Sequence, residues 1–293
     1  MINYWNITFL IIIVIYFCLL VKILLDKQVN SLLAIEDKRS YKQLNLISWF
    51  SPIFFISLWG LISSCNFKLL ENIPSPVDVI KSIYHLIVSG VLIYEAVFSF
   101  KRVIIGFLLA TTLGVPLGLI AGTYILANRI IFPINSFFRY IPPTAFISLL
   151  IVYFGVEETF KYAIIFLGMI FFIIQMVIDV VDDVDMKYIE LGLTSGFSNW
   201  KIFTKVITPF SMPRVFDVLR INIGAAWTFL VAAEIIGAEN GLGHLIAISQ
   251  RFLRMGDLYA GILTFGVIGL VTDKILNVVS KRLFKWYYIE LNR

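Results

Sequence analysis

Residues 101–124 read KRVIIGFLLATTLGVPLGLIAGTY, with no charged side chain after Arg102. A helix needs about 20 consecutive apolar residues to cross the roughly 30 Å hydrocarbon core of a bilayer, and this run supplies them. The rest of the chain has the same character. Apolar residues make up 59% of its 293 positions and charged residues 15%, against about 45–50% and about 25% in soluble domains. The mean hydropathy is +0.90. One or two soluble cores cannot hide so much apolar side chain. The composition therefore predicts an all-α polytopic membrane protein.

Outward from 101–124, further apolar runs lie at about 5–25, 46–65, 129–154, 161–181, 215–236 and 259–279, giving seven expected spans. Lys22, Lys27, Lys38, Arg39 and Lys42 follow the first span, and Lys281, Arg282 and Lys285 follow the last. Basic residues collect at the cytoplasmic face, which puts the N-terminus outside and the C-terminus in the cytoplasm. Residues 1–45 then form an extra N-terminal transmembrane helix with a polar cytoplasmic linker, and 46–293 form the main membrane domain. Pro74-Ser75-Pro76 stops any helix, and 77–88 reads as an amphipathic segment at the outer face. Residues 182–213 are the longest polar stretch of the second half and fall on the cytoplasmic side. Gly241 and Gly243 mark an outer loop.

The net charge of +5 belongs to the cytoplasmic loops, since no basic run interleaved with aromatics points to nucleic acid. Cys18, Cys65, His85 and His244 are isolated in sequence, giving no disulfide framework, metal site or catalytic cluster.

Several positions inside the spans stand out. Gly106, Ala110, Gly114, Gly118 and Gly122 are four apart and line one helix face, either as a packing surface or as a moving seam, with Pro116 adding a kink. Pro142-Pro143 removes two backbone donors in mid-span. That break is tolerated only where protein or a water-filled cavity serves the freed carbonyls, so it is either a kink or a stretch lining a route. The intramembrane charges are Arg139, Arg220, Glu234 and Asp273, each serving pairing and anchoring or a pathway. For an anionic cargo Arg139 and Arg220 would attract and Glu234 repel, which casts Glu234 as a partner for a helix or loop amide. The candidate route residues are Arg139, Pro142, Pro143, Arg220, Ala226, Leu230 and Glu234.

Residues 188–209 read YIELGLTSGFSNWKIFTKVITP. The pattern predicts a short helix from about Asp185, a turn at Gly196, and a second helix from about Asn199 that Pro209 halts. Leu191, Phe197, Trp200 and Phe203 are too apolar for a solvated loop and mark a docking surface. Glu190, Gly196 six residues later and Pro209 thirteen after that resemble the EAA loop of ABC-importer permeases, with Leu191 and Gly192 in place of the two alanines. Pro74 to Pro76, Arg102 to Gly122, Arg139 to Pro143, Phe154-Gly155, Trp227 to Gly237 and Gly241 to Ile246 resemble the nitrate/sulfonate/taurine/bicarbonate branch of these permeases.

The resemblance implies a type I, MetI-like permease fold with about six core helices plus the extra N-terminal one. It further implies a homodimer in the bacterial inner membrane, an extracytoplasmic solute-binding protein and a small anionic solute. A separate ABC ATPase would dock on Glu190, Leu191, Gly192, Gly196, Trp200 and Pro209. No cofactor, metal or catalytic residue is implied. The chain has no glycine-rich Lys-Ser/Thr phosphate loop, so ATP falls to a partner. The alternatives are a membrane-embedded enzyme, which needs a nucleophile–base pair, and an ATP-independent secondary transporter, which predicts half-to-half repeats.

Overall fold

The computed structural model describes residues 11–16, 42–64 and 72–290. The span expected at 5–25 lies outside the described residues except for 11–16, which are helical. The chain divides into two compact units, Met1–Leu86 with Leu253–Ala260, and Ile87–Phe252 with Gly261–Arg293.

In the first unit, α1 (Lys42–Ser63) starts within the segment expected as linker, so the boundary drawn at residue 45 falls inside a helix. Its indole Trp59 donates Nε1–H to Pro74 O at 3.1 Å and stacks on Tyr259 at 5.8 Å. The amphipathic segment is present as α2 (Pro76–Val88), which buries Pro76, Val79 and Leu86. Ser75 starts it: its Oγ accepts the Asp78 N–H at 3.2 Å, while its hydroxyl donates to the Asp78 carboxylate at 2.7 Å. Ser75 is thus a serine N-cap, with its hydroxyl oriented by the Asp78 carboxylate.

Near the start of the second unit, Gly90 with a φ of 77° turns the chain into α3 (Val91–Thr123). α3 begins at Val91, earlier than the expected start of the span at Lys101, and its 33 residues extend about 50 Å. The helix continues through polar Glu95, Ser99 and Arg102 because, spaced four and three apart, they share one face and find partners there. Next come α4 (Ile125–Arg139), a 3₁₀ turn (Pro143–Phe146) and α5 (Ile147–Phe154). α4 and the segment Pro143–Phe154 meet at 83°. The expected Pro142-Pro143 interruption is thus a sharp bend.

α6 (Glu158–Asp182) is the centre of the unit, with two-thirds of its spanning stretch buried. The small-residue row of α3 lies against it. Cβ atoms added at Gly106, Gly114, Gly118 and Gly122 would sit within 2.6–2.9 Å of Ile165, Ile173, Val177 and Val181 respectively. The row is a packing seam, where β-branched side chains of one helix fill the space that missing Cβ atoms leave on the other.

Two short helices follow, α7 (Met186–Thr194) and α8 (Asn199–Ile202), then a π-helical stretch (Phe203–Ile207) and α9 (Thr208–Gly237). Here the structure corrects the sequence reading. Pro209 does not halt a helix. Residues from Asn199 to Gly237 form one helix of 39 residues, and the span expected from 215 is its second half. The reason is the π stretch: the Thr208 N–H reaches back five residues to Phe203 O. A turn widened by one residue gives the proline ring room at the preceding carbonyls, which a regular α-turn would crowd. α10 (Leu242–Arg251), α11 (Met255–Leu283) and α12 (Lys285–Glu290) complete the chain.

Among the described residues, four helices are long and apolar enough to span, or five if the bent pair counts as one crossing; residues Ser51–Ser63 form a shorter apolar helix.

The seam is directly testable. At Gly118 an added Cβ would meet Val177 at 2.6 Å and the Ile174 carbonyl, which is backbone, at 2.9 Å, whereas at Gly224 nothing lies within 4 Å. Gly118→Val should lower the thermal midpoint of the detergent-solubilised protein by an amount corresponding to about 1–3 kcal/mol of overpacking. Gly224→Ala should leave that midpoint unchanged.

Candidate functional site

The 185–209 loop is built by local chemistry. The Asp185 carboxylate caps α7 by accepting the Lys187 N–H at 3.0 Å, and it also pairs with the Lys187 ammonium. Those contacts hold the Asp185 carboxyl below its ordinary range. At the other end Phe197 N–H donates to Gly192 O at 3.0 Å and Gly196 N–H to Leu193 O at 2.9 Å. That pair of bonds is a Schellman motif, and Gly196 fills its left-handed position with φ 76°. Ser198 then caps α8. Gly192 is buried, because an added Cβ would press on Ile202 at 3.3 Å; the close crossing of α7 and α8 requires a very small residue there.

The outer surface of this loop is apolar. Leu191 is 64% exposed, Leu193 52%, Trp200 66% and Met186 64%. Glu190 is exposed beside them, and its carboxylate has no ion pair or hydrogen bond among the described residues. Pro209 is exposed on the first turn of α9. Beneath the loop, a cavity of ≈ 510 Å³ separates it from the ends of α3 and α6, lined by Gly122, Tyr124, Val181, Ile189 and Ile202 among others.

The expected route residues do not converge on one place. Arg139 ends α4 with its guanidinium 5.6 Å above the Tyr140 ring. Pro142 is exposed and Pro143 half-buried at the bend. Arg220 pairs with Asp273 across α9 and α11 at 3.0 Å. Ala226 and Leu230 have no exposed surface at all, because their side of α9 packs into the core. The open side of α9 is that of Ile221, Gly224 and Thr228, which with Phe265 and Leu270 of α11 border a groove of ≈ 730 Å³. Glu234 is buried and accepts the Gly243 N–H at 2.8 Å, an amide partner of the kind its charge called for.

Glu234 also has a partner that the sequence reading passed over, Arg102, 1% exposed. All five N–H groups of Arg102 are used. Nε and NH2 donate to the two Glu158 oxygens at 2.8 and 2.7 Å, NH1 to Glu234 and to Asn240 O at 2.7 Å each, and NH2 also to the Asn240 side chain. Lys161 adds a second cation on Glu158 at 2.7 Å. The Ser99 hydroxyl donates to Glu234 and accepts the Leu242 N–H at 2.8 Å, and Glu95 accepts the Gly241 N–H. The first amides of α10 are therefore held by side chains of α3 and α9. Gly241, at φ 113°, and Gly243 lie so close that a Cβ on either would overlap Glu234.

Residues 114–285 match the family described as binding-protein-dependent transport system inner membrane component. The chain belongs to this family. A Brucella melitensis protein named "Probable ABC transporter permease protein" is 34% identical over 243 residues, 83% of this chain and 96% of the relative. The taurine transport system permease protein of Escherichia coli is 26% identical over 237 residues, 79% and 86% of the two chains. An inward-facing structure of the MetNI methionine ABC transporter shares the fold, with a TM-score of 0.56 and 18% identity over 67% of this chain and 95% of that one.

The matched region of this permease holds the 185–209 loop and both walls of the groove, while Arg102 lies before it. The missed signal was Glu95, Ser99 and Arg102 at i, i+4 and i+7. Glu95 and Ser99 fall between the outer-face segment at 77–88 and the span expected from 101, and an Arg beside Lys101 passes for a boundary marker.

Removing one partner from a buried ion pair strands the other charge, which costs about 3–5 kcal/mol. Arg102→Met should therefore lower the thermal midpoint of the purified permease well below that of Lys161→Met. In the latter, Glu158 keeps Arg102 and is itself 44% exposed. Equal midpoints would mean that the network does not carry the stability of this end of the permease.

Proposed function

We propose that this permease is the membrane subunit of an ATP-driven importer for a small anionic solute of the nitrate, sulfonate, taurine or bicarbonate class. Two copies enclose the route in the bacterial inner membrane, with the N-terminus outside and the C-terminus in the cytoplasm. An extracytoplasmic binding protein delivers the cargo, and a separate ABC ATPase docks on the 185–209 loop. The observation that carries this reading is the exposed apolar surface of Leu191, Leu193 and Trp200 on a loop of fixed shape. Such a patch on an aqueous loop is costly without a partner. The lack of a phosphate loop in the chain supports the same partner, since energy from ATP must then arrive through a mechanical contact. The family's description names a binding protein, and the taurine relative supports an oxyanion cargo.

Coupling in this reading runs through geometry rather than chemistry. α8, the π stretch and α9 are one continuous helix, so ATPase motion felt at Trp200 displaces the wall of the groove. Glu190 offers an unpaired carboxylate to a basic group of the ATPase, and Gly196 sets the angle between the two short helices.

Gly196→Val strains a left-handed position that only glycine takes freely, yet meets no neighbour within 4 Å; it distorts the turn between α7 and α8 without a clash against any packed side chain. Loss of one hot-spot contact costs about 2 kcal/mol or more, close to 30-fold in affinity. Gly196→Val and Glu190→Ala should reach the membrane at normal levels but lose ATPase retention on purification by about that factor, with uptake falling in step. Wild-type uptake with the ATPase fully retained would refute the docking role of the loop.

A further inference from the structure

Arg220 is a second membrane-embedded arginine, and it is treated differently from Arg102. Its Nε lies 3.0 Å from Asp273 Oδ1 and its NH1 3.8 Å from Asp217 Oδ1. Among the described residues no hydrogen bond ties its terminal nitrogens, whereas Arg102 has every N–H engaged. Arg220 remains 34% exposed. It and Asp273 are the charged residues lining the ≈ 730 Å³ groove between α9 and α11, whose other walls are formed by Gly224, Trp227, Thr228 and Phe265 among others. The trio of Arg220, Asp217 and Asp273 carries a net charge of −1. With Asp273 in place the groove therefore repels an anion; with Asp273 withdrawn, a guanidinium fork is left that matches two oxygens of a carboxylate or sulfonate. Asp273 sits on α11, which buries only 6% of its spanning stretch against 67% for α6. Of the described spanning helices it is the least packed within its own chain.

We propose that Arg220 is an anion-coordinating site in the groove, taking a small oxyanion of the sulfonate or carboxylate type, and that Asp273 opposes it by pairing with the guanidinium at Nε. The proposal rests on the importer reading above and adds to it the group that meets the cargo and the group that competes with the cargo. Asp217, one turn before Arg220 on α9, remains beside the arginine in both states. It keeps the released site near neutral, so the anion is held weakly enough to leave.

Gly224 lies one helical turn from Arg220, and nothing stands within 4 Å of where its side chain would start. A Gly224→Cys reporter, with Cys18→Ser and Cys65→Ser, would be placed in the permease–ATPase complex in liposomes. It is labelled with two thiol reagents of equal reach, sulfonatoethyl methanethiosulfonate, itself a sulfonate anion, and its trimethylammonium counterpart. Their rate ratio is independent of how much protein is correctly folded, because both act on the same population. Asp273→Asn should raise the anion-to-cation ratio about tenfold, and Arg220→Gln should lower it by a similar factor, as one charge nearby requires. Taurine at millimolar concentration should slow the anionic reagent in Asp273→Asn and have no effect in Arg220→Gln. Ratios within twofold of the parent in both variants would overturn the proposal, as would a reporter inert to both reagents, since an anion site must be wet. A complex that retains its ATPase while the ratios stay flat refutes the anion site alone; failure of the unmodified chain to retain an ATPase refutes the importer reading instead.

Discussion

A guanidinium placed inside a membrane protein must find acceptors for five N–H groups from protein alone. Arg102 does so with two carboxylates and one asparagine, and the demand organises one end of the second unit. Glu158 is the first residue of α6, Glu234 is near the end of α9, and Asn240 lies in the turn before α10. One side chain on α3 thereby sets the height and rotation of two neighbouring helices and the shape of a turn. The two glutamates would be as costly to bury as the arginine if any partner were missing. Ser99 and the amides of Leu242 and Gly243 complete the acceptor and donor count around Glu234.

The seam between α3 and α6 begins where that network ends. Below Arg102 the contact between the two helices is apolar and unusually close, with glycine opposite Ile165, Ile173, Val177 and Val181. Without a hydrophobic force between helices in lipid, such packing and the ion network are the two means of holding the bundle. They divide the length of α3 between them. The ion network serves the half that faces the α9–α10 turn, and the seam continues to Gly122, at the cavity beneath the 185–209 loop.

Much of this was legible in the sequence, and the gaps have a common cause. Hydropathy located the helices well wherever apolar residues filled the whole circumference, as in α6. It misplaced the ends of α3 and α9, where polar residues or prolines lie inside a helix and are compensated by something distant: Glu234 for Arg102, or a change from four-residue to five-residue bonding around Pro209. No local pattern reports such compensation. The turn at Gly196 was readable because its requirement is local, a positive φ between two short amphipathic helices. Ala226 and Leu230, expected along a route, lie instead on the packed side of α9. Small and apolar residues occur on both its faces, and only packing against α6 distinguishes the face of Ala226 and Leu230 from that of Gly224 and Thr228.

The 39-residue helix from Asn199 to Gly237 ties these features into one mechanical element. It carries Trp200 at the loop, Arg220 on the groove and Glu234 in the ion network. Its two ends are held differently. Near Glu234 it is tied by charge and hydrogen bonds to α3 and α10, whereas α8 rests over a ≈ 510 Å³ cavity with its tryptophan exposed. Between them, the π stretch and Pro209 replace the regular bonding of an α-helix, and the hydroxyls of Thr208 and Ser211 are buried without a hydrogen-bond partner among the described residues. A force applied at α8 therefore meets the weakest backbone first and the most firmly anchored end last. In the coupling proposed above, the bend is taken up between Trp200 and Arg220, so a displaced loop would tilt the groove wall about the anchored Glu234 end and would not slide the whole helix along the α6 core.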